Sequence, residues 1–106
     1  MDREALVSHW FELTREQMPA LAAERGWPVR FDHCFQRILL DNAVGAKWSD
    51  VIASPAYRHA TDVVIERAIA LGLAASEGRE DLHNLNANSL AWRGKRKARA
   101  SRPGFS

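Results

Sequence analysis

Residues 31–44 read FDHCFQRILLDNAV. Phe31, Phe35, Ile38, Leu39 and Asn42 recur three or four apart, with Cys34 beside them, and this spacing predicts an amphipathic helix whose apolar stripe faces a core. The segment is punctuated on both sides. Trp27-Pro28 precedes it and Asp32 can begin or cap it, while Gly45 can end it. A helix so bounded, with a phenylalanine stripe, is expected at the centre of an all-α fold.

Working outward, the N-terminal side predicts two more helices. Asp2 can cap the first, where Ala5, Leu6, Trp10 and Leu13 form one face that Val7 and Phe11 broaden. Pro19 is poorly tolerated inside a helix, so a break is expected near Gln17, with a restart at Pro19 that runs to Gly26. On the C-terminal side, Ser49 or Ser54 can cap a short helix around Pro55. Thr61-Asp62 opens another, carrying Val64, Ile65, Ala68, Ile69 and Leu71 and ending at Gly72 or Gly78. The last helix, from about Arg79 to Trp92, puts Leu82, Leu85, Ser89 and Trp92 on one face, and Gly94 stops it. No stretch alternates long enough to require a strand. The expected fold is a compact bundle of five to six short helices, with residues 1–92 as one domain.

Residues 93–106, RGKRKARASRPGFS, form a different object. Arg93, Lys95, Arg96, Lys97, Arg99 and Arg102 make this segment +6, without an acid. Residues 1–92 carry nine basic and thirteen acidic residues, a net −4, so the chain totals +2. An acidic body with a disordered basic arm is suited to a polyanion, because clustered Lys and Arg release counterions from phosphates without reading bases. The expected partner is DNA or RNA through phosphate contacts. The competing expectations are a protein partner and an arm that only solubilises the body.

Other classes are narrowed by what the chain holds. Its apolar content of 46% suits a folded globule, and no run approaches the roughly 20 residues of a membrane span. The start, MDREALVSHW, lacks the basic and apolar regions of a signal peptide, and Cys34 is the single cysteine, so a reducing, cytoplasmic setting is expected. Four scattered histidines and one cysteine make no metal pattern, and nothing in the sequence calls for a cofactor.

Three constellations can carry chemistry. His33 and Cys34 are adjacent, but neighbours on a helix point about 100° apart, so a thiolate relay is a poor fit. His33, Arg37 and Asp41 are each four apart, which predicts an Arg37–Asp41 pair with His33 alongside, either a surface network or a small site for an anion or a base edge. Tyr57-Arg58-His59, after Ser54-Pro55, puts donors at the start of a short helix, where a phosphate or the turn of a helix-turn-helix would be met. Of four tryptophans, Trp10 is expected in the core, Trp27 and Trp48 at the ends of the bundle, and Trp92 docking the last helix or stacking on a base. An enzyme would use His33, Cys34, Arg37, Asp41 and His59, and would join His33, Arg37 and His59 in one polar cleft.

The runs FDHCFQRILLDNAVGAKW, SPAYRHA and SLAWRGK resemble a group of short bacterial proteins, mainly proteobacterial, some of which carry a GNAT acetyltransferase label. The resemblance covers most of residues 31–95. A GNAT fold would imply a mixed sheet and a Gln/Arg-x-x-Gly-x-Gly/Ala loop, neither of which this chain offers, so the resemblance transfers no catalytic residue.

Overall fold

The computed structural model describes residues 2–94, and every regular element among them is helical. Helix α1 spans Arg3–Glu12, and the Asp2 carboxylate caps it by accepting from the Ala5 N–H at 2.8 Å. The expected break at Gln17 does not occur. Leu13–Gln17 form a π-helical turn in which the Met18 N–H donates to the Leu13 carbonyl, and α2 (Met18–Arg25) continues the rod. Pro19 is accommodated because it falls in the first turn of α2, where its missing N–H matters least. The wider π turn takes up the change in register. Gly26, at φ 65°, ends the rod in the left-handed conformation that glycine adopts without strain.

The predicted central helix is present as α3 (Asp32–Val44), ending at Gly45 in the same left-handed cap. Phe35, Ile38 and Leu39 are fully buried, and α3 packs chiefly against the π turn, α5 (Asp62–Ser76) and α6 (Leu82–Trp92). Phe31 departs from the expected stripe. It occupies the extended cap position, is 65% exposed and stacks on the His33 ring at 5.9 Å. Cys34 is half-buried rather than a core residue.

Between α3 and α5 lie a 3₁₀ turn (Trp48–Asp50) and the single-turn helix α4 (Ala56–His59), with Pro55 at the cap of α4. Thr61 caps α5 by accepting from the Val64 N–H. That helix runs through Gly72 instead of stopping there. Helix α6 starts at Leu82, with Asp81 as its cap, and buries Leu82, Leu85 and Ser89. Trp92, expected on the docking face, is 41% exposed. No helix among the described residues is long and apolar enough to cross a membrane. Residues 95–106, most of the predicted arm, lie outside the described residues.

Gly72 is where the π turn meets α5. A Cβ built on it would stand 2.7 Å from Leu13 Cδ2, 2.9 Å from Leu39 Cδ1 and 3.3 Å from Met18 Sδ. All three side chains are fully buried and have no solvent to retreat into. Alanine would gain about 1 kcal/mol of helix propensity, but overpacking typically costs about 1–3 kcal/mol. Gly72→Ala should therefore be no better than neutral, and Gly72→Val should lose about 3 kcal/mol in urea denaturation. A stabilised Gly72→Val would mean that α5 and the π turn are not this close.

Candidate functional site

Asp41 is completely buried, and four donors satisfy it. Oδ1 accepts from the Trp48 N–H at 2.9 Å and from Arg93 Nη2 at 3.0 Å. Oδ2 accepts from Ser89 Oγ at 2.6 Å and from Arg93 Nε at 2.7 Å. Arg93 thus grips the carboxylate with two parallel hydrogen bonds, the strong geometry for this pair. The predicted Arg37–Asp41 pair is corrected by this arrangement. Arg37 reaches α6 instead, donating from Nη1 to Ser89 Oγ at 2.7 Å and from Nη2 to Asn86 Oδ1 at 2.9 Å. Ser89 bridges the two side chains that i,i+4 spacing was expected to join. His33 takes no part and is exposed, with Nδ1 3.6 Å from Asp32 Oδ1.

Arg93 is likewise corrected. Counted among the phosphate-binding charges of the arm, it is spent on Asp41 and belongs to the helical body. Lys95, Arg96, Lys97, Arg99 and Arg102 lie outside the described residues.

Arg37 is also one wall of a cleft of about 340 Å³. The π turn and α1 contribute Arg15, Trp10 and Phe11. Helix α3 contributes His33, Gln36, Arg37 and Leu40. The segment between α3 and α5 contributes Trp48, Ser54, Pro55, Ala56 and Tyr57. Arg15 is set by the π turn, a backbone feature that frequently marks functional positions, and its guanidinium lies 3.9 Å over the Phe11 ring. The Tyr57 ring meets the same Phe11 edge-on at 5.3 Å. Gln36 donates to Thr14 Oγ1 at 3.1 Å, tying α3 to the π turn beneath the cleft.

The charge of this cleft runs against that of the body. Two arginines and a histidine line it, and no aspartate or glutamate does. Asp32 lies beside it, with Oδ2 4.0 Å from Arg15 Nε in an exposed, weak pair. Among the described residues no carboxylate lies within 4.0 Å of Arg37, which binds two neutral oxygens and has three further N–H donors without a protein acceptor. Such a guanidinium is prepared for an anion.

The cleft brings the α3 polar face together with Ser54 and Tyr57, two constellations that the sequence left apart. It does not include Arg58, His59 or Cys34. Helix α4, the expected short helix, has four residues, Ala56–His59, and Pro55 stands at its cap. No hydrogen bond among the described residues couples His33 to Cys34, Ser54 or Tyr57, and the cleft presents guanidinium and aromatic groups. No group of three metal-ligating side chains occurs among the described residues.

Sequence reasoning missed Arg15, Gln36 and Trp48. It also missed the role of Ser89 on α6 and of Arg93, the residue that caps its C-terminus, although a serine on that helix's apolar face was a signal that something polar faced it. No protein-family model matches the chain, and neither a curated protein nor a solved structure is similar to it.

Proposed function

We propose that this chain is a small non-catalytic helical module that binds nucleic acid, with the basic segment Lys95–Arg102 on the phosphates and the arginine-lined cleft beside it. The observation that carries the reading is the segregation of charge. Residues 1–92 are net acidic, yet the cleft is lined by Arg15 and Arg37 without an acid, and the basic run of the sequence follows Arg93 directly after Gly94. Arg93 is fastened to Asp41, which also holds the Trp48 backbone and, through Ser89, Arg37. Trp48 and Arg37 both line the cleft, so Arg93 is tied through Asp41 to two of its walls. This supports one basic surface made of segment and cleft.

Binding should be measured by fluorescence anisotropy on random duplex and single-stranded DNA and RNA. With Arg93 withdrawn, five basic residues remain in the segment, and neutralising four or five phosphates predicts a log–log salt slope of about −4 on duplex DNA. Removing residues 95–106 should abolish most binding and leave the circular dichroism spectrum helical. Removing 93–106 should also destabilise the body, because it leaves Asp41 buried without Arg93. If the full chain binds no nucleic acid at low salt, the reading is replaced by an interaction module with a protein partner.

A further inference from the structure

The geometry points to the cleft as a seat for one unstacked nucleotide of a single strand, an inference that rests on the nucleic-acid reading above. A duplex keeps its base faces stacked inside and offers only phosphates and base edges, whereas a single strand offers π-faces to aromatic side chains. The cleft has both halves of such a seat. Tyr57 is 41% exposed, Trp48 is half-buried, and both line it. Arg15 and Arg37 supply guanidinium groups for the adjoining phosphate. Arg15 is held over Phe11, and Arg37 is fixed by Ser89 and Asn86 with donors left over, so little side-chain freedom is lost on binding.

Size agrees with the same occupant. A volume of about 340 Å³ is at the small end of ligand pockets, which run from about 300 to 1,000 Å³. It suits a single flat ring and its phosphate rather than a stretch of strand. The remaining nucleotides would follow the basic segment, which reads phosphates without regard to sequence. The division of labour predicts a protein that prefers single strands and shows little sequence preference.

The test uses the full chain with labelled thymidine and uridine oligonucleotides and a duplex of equal length. Tyr57→Ala and Arg15→Gln alter exposed side chains and should leave the fold intact, which circular dichroism checks. Each should weaken single-strand binding about tenfold, in line with the loss of one stacking or phosphate contact; Tyr57→Ala should change duplex binding by less than twofold, whereas Arg15→Gln removes a charge that duplex phosphates also meet and should weaken both. In the unmodified chain, a nucleoside monophosphate should quench tryptophan fluorescence, since Trp10 and Trp48 line the cleft, and Tyr57→Ala should reduce that response; inorganic phosphate at the same concentration should not reproduce it. Nucleic-acid binding that depends on residues 95–106 but is indifferent to both cleft variants would overturn this inference and leave the proposed function standing. Quenching by phosphate alone would overturn it too, making the cleft a simple anion site. Absence of all nucleic-acid binding would overturn both.

Discussion

Asp41→Asn should lower the stability of the domain by about 3–5 kcal/mol, the loss expected when one member of a buried ion pair is removed. The carboxylate is fully buried and accepts from four donor groups on three residues, Trp48, Ser89 and Arg93. An asparagine keeps the shape, but one of its two polar ends is a donor facing donors, and the Arg93 guanidinium loses its counter-charge. For a domain of this size each kcal/mol shifts the Tm by about 4–8 °C, so a fall of at least about 12 °C is expected. Had Asp41 formed only the exposed helical pair that its spacing with Arg37 suggested, the loss would stay within about 1 kcal/mol. Arg93→Gln should show a loss of the same order, and the double variant should lose less than the sum of the two, because each removes the interaction that the other lacks. Additive losses, or a loss near 1 kcal/mol for Asp41→Asn, would break the assignment of the buried pair.

The helices and the core were legible in the sequence where a local pattern decided them. The α3 stripe, Gly45, Asp2, Thr61 and Gly26 all act as their residue types and spacing require. What failed was local reasoning applied to tertiary matters. Pro19 looked like a break because sequence shows the missing N–H but not the π turn that shifts the register before it. Phe31 fits the helical period of α3, yet a cap residue is turned outward by its extended backbone.

The site was less legible, and for one reason. Asp41 and Arg37 are satisfied by α6, about fifty residues further along, and spacing along α3 says nothing about a partner on another helix. Arg93 looked like the first residue of the arm by charge alone, whereas its place four residues after Ser89 puts both on the face that packs on α3. The cleft itself joins Arg15, Arg37 and Tyr57 from three separate elements, a juxtaposition that only the fold makes.

Phe35→Ala is the second large effect, an expected loss of about 3–5 kcal/mol. Phe35 is fully buried at the centre of α3 and meets the Trp27 ring edge-on at 5.6 Å, an aromatic contact worth about 0.5–1.5 kcal/mol beyond area burial. Truncation removes the ring from a packed interior and leaves a cavity beside Trp27. Phe31→Ala, four residues earlier in the same apparent stripe, should change stability by no more than about 0.5 kcal/mol, because its ring is 65% exposed. Urea denaturation of both variants, followed by helical circular dichroism with a common m-value, measures the contrast. The comparison also bears on the cleft. Phe35 immediately precedes Gln36 and Arg37, so its packing sets the rotation of α3 that turns those two side chains toward the π turn and α6. Phe35→Leu, which retains much of the buried volume, should therefore keep nucleic-acid binding at a temperature where Phe35→Ala is still folded but binds less tightly. Equal losses for Phe31→Ala and Phe35→Ala would show that α3 is rotated from the position described, and the cleft would have to be redrawn with it.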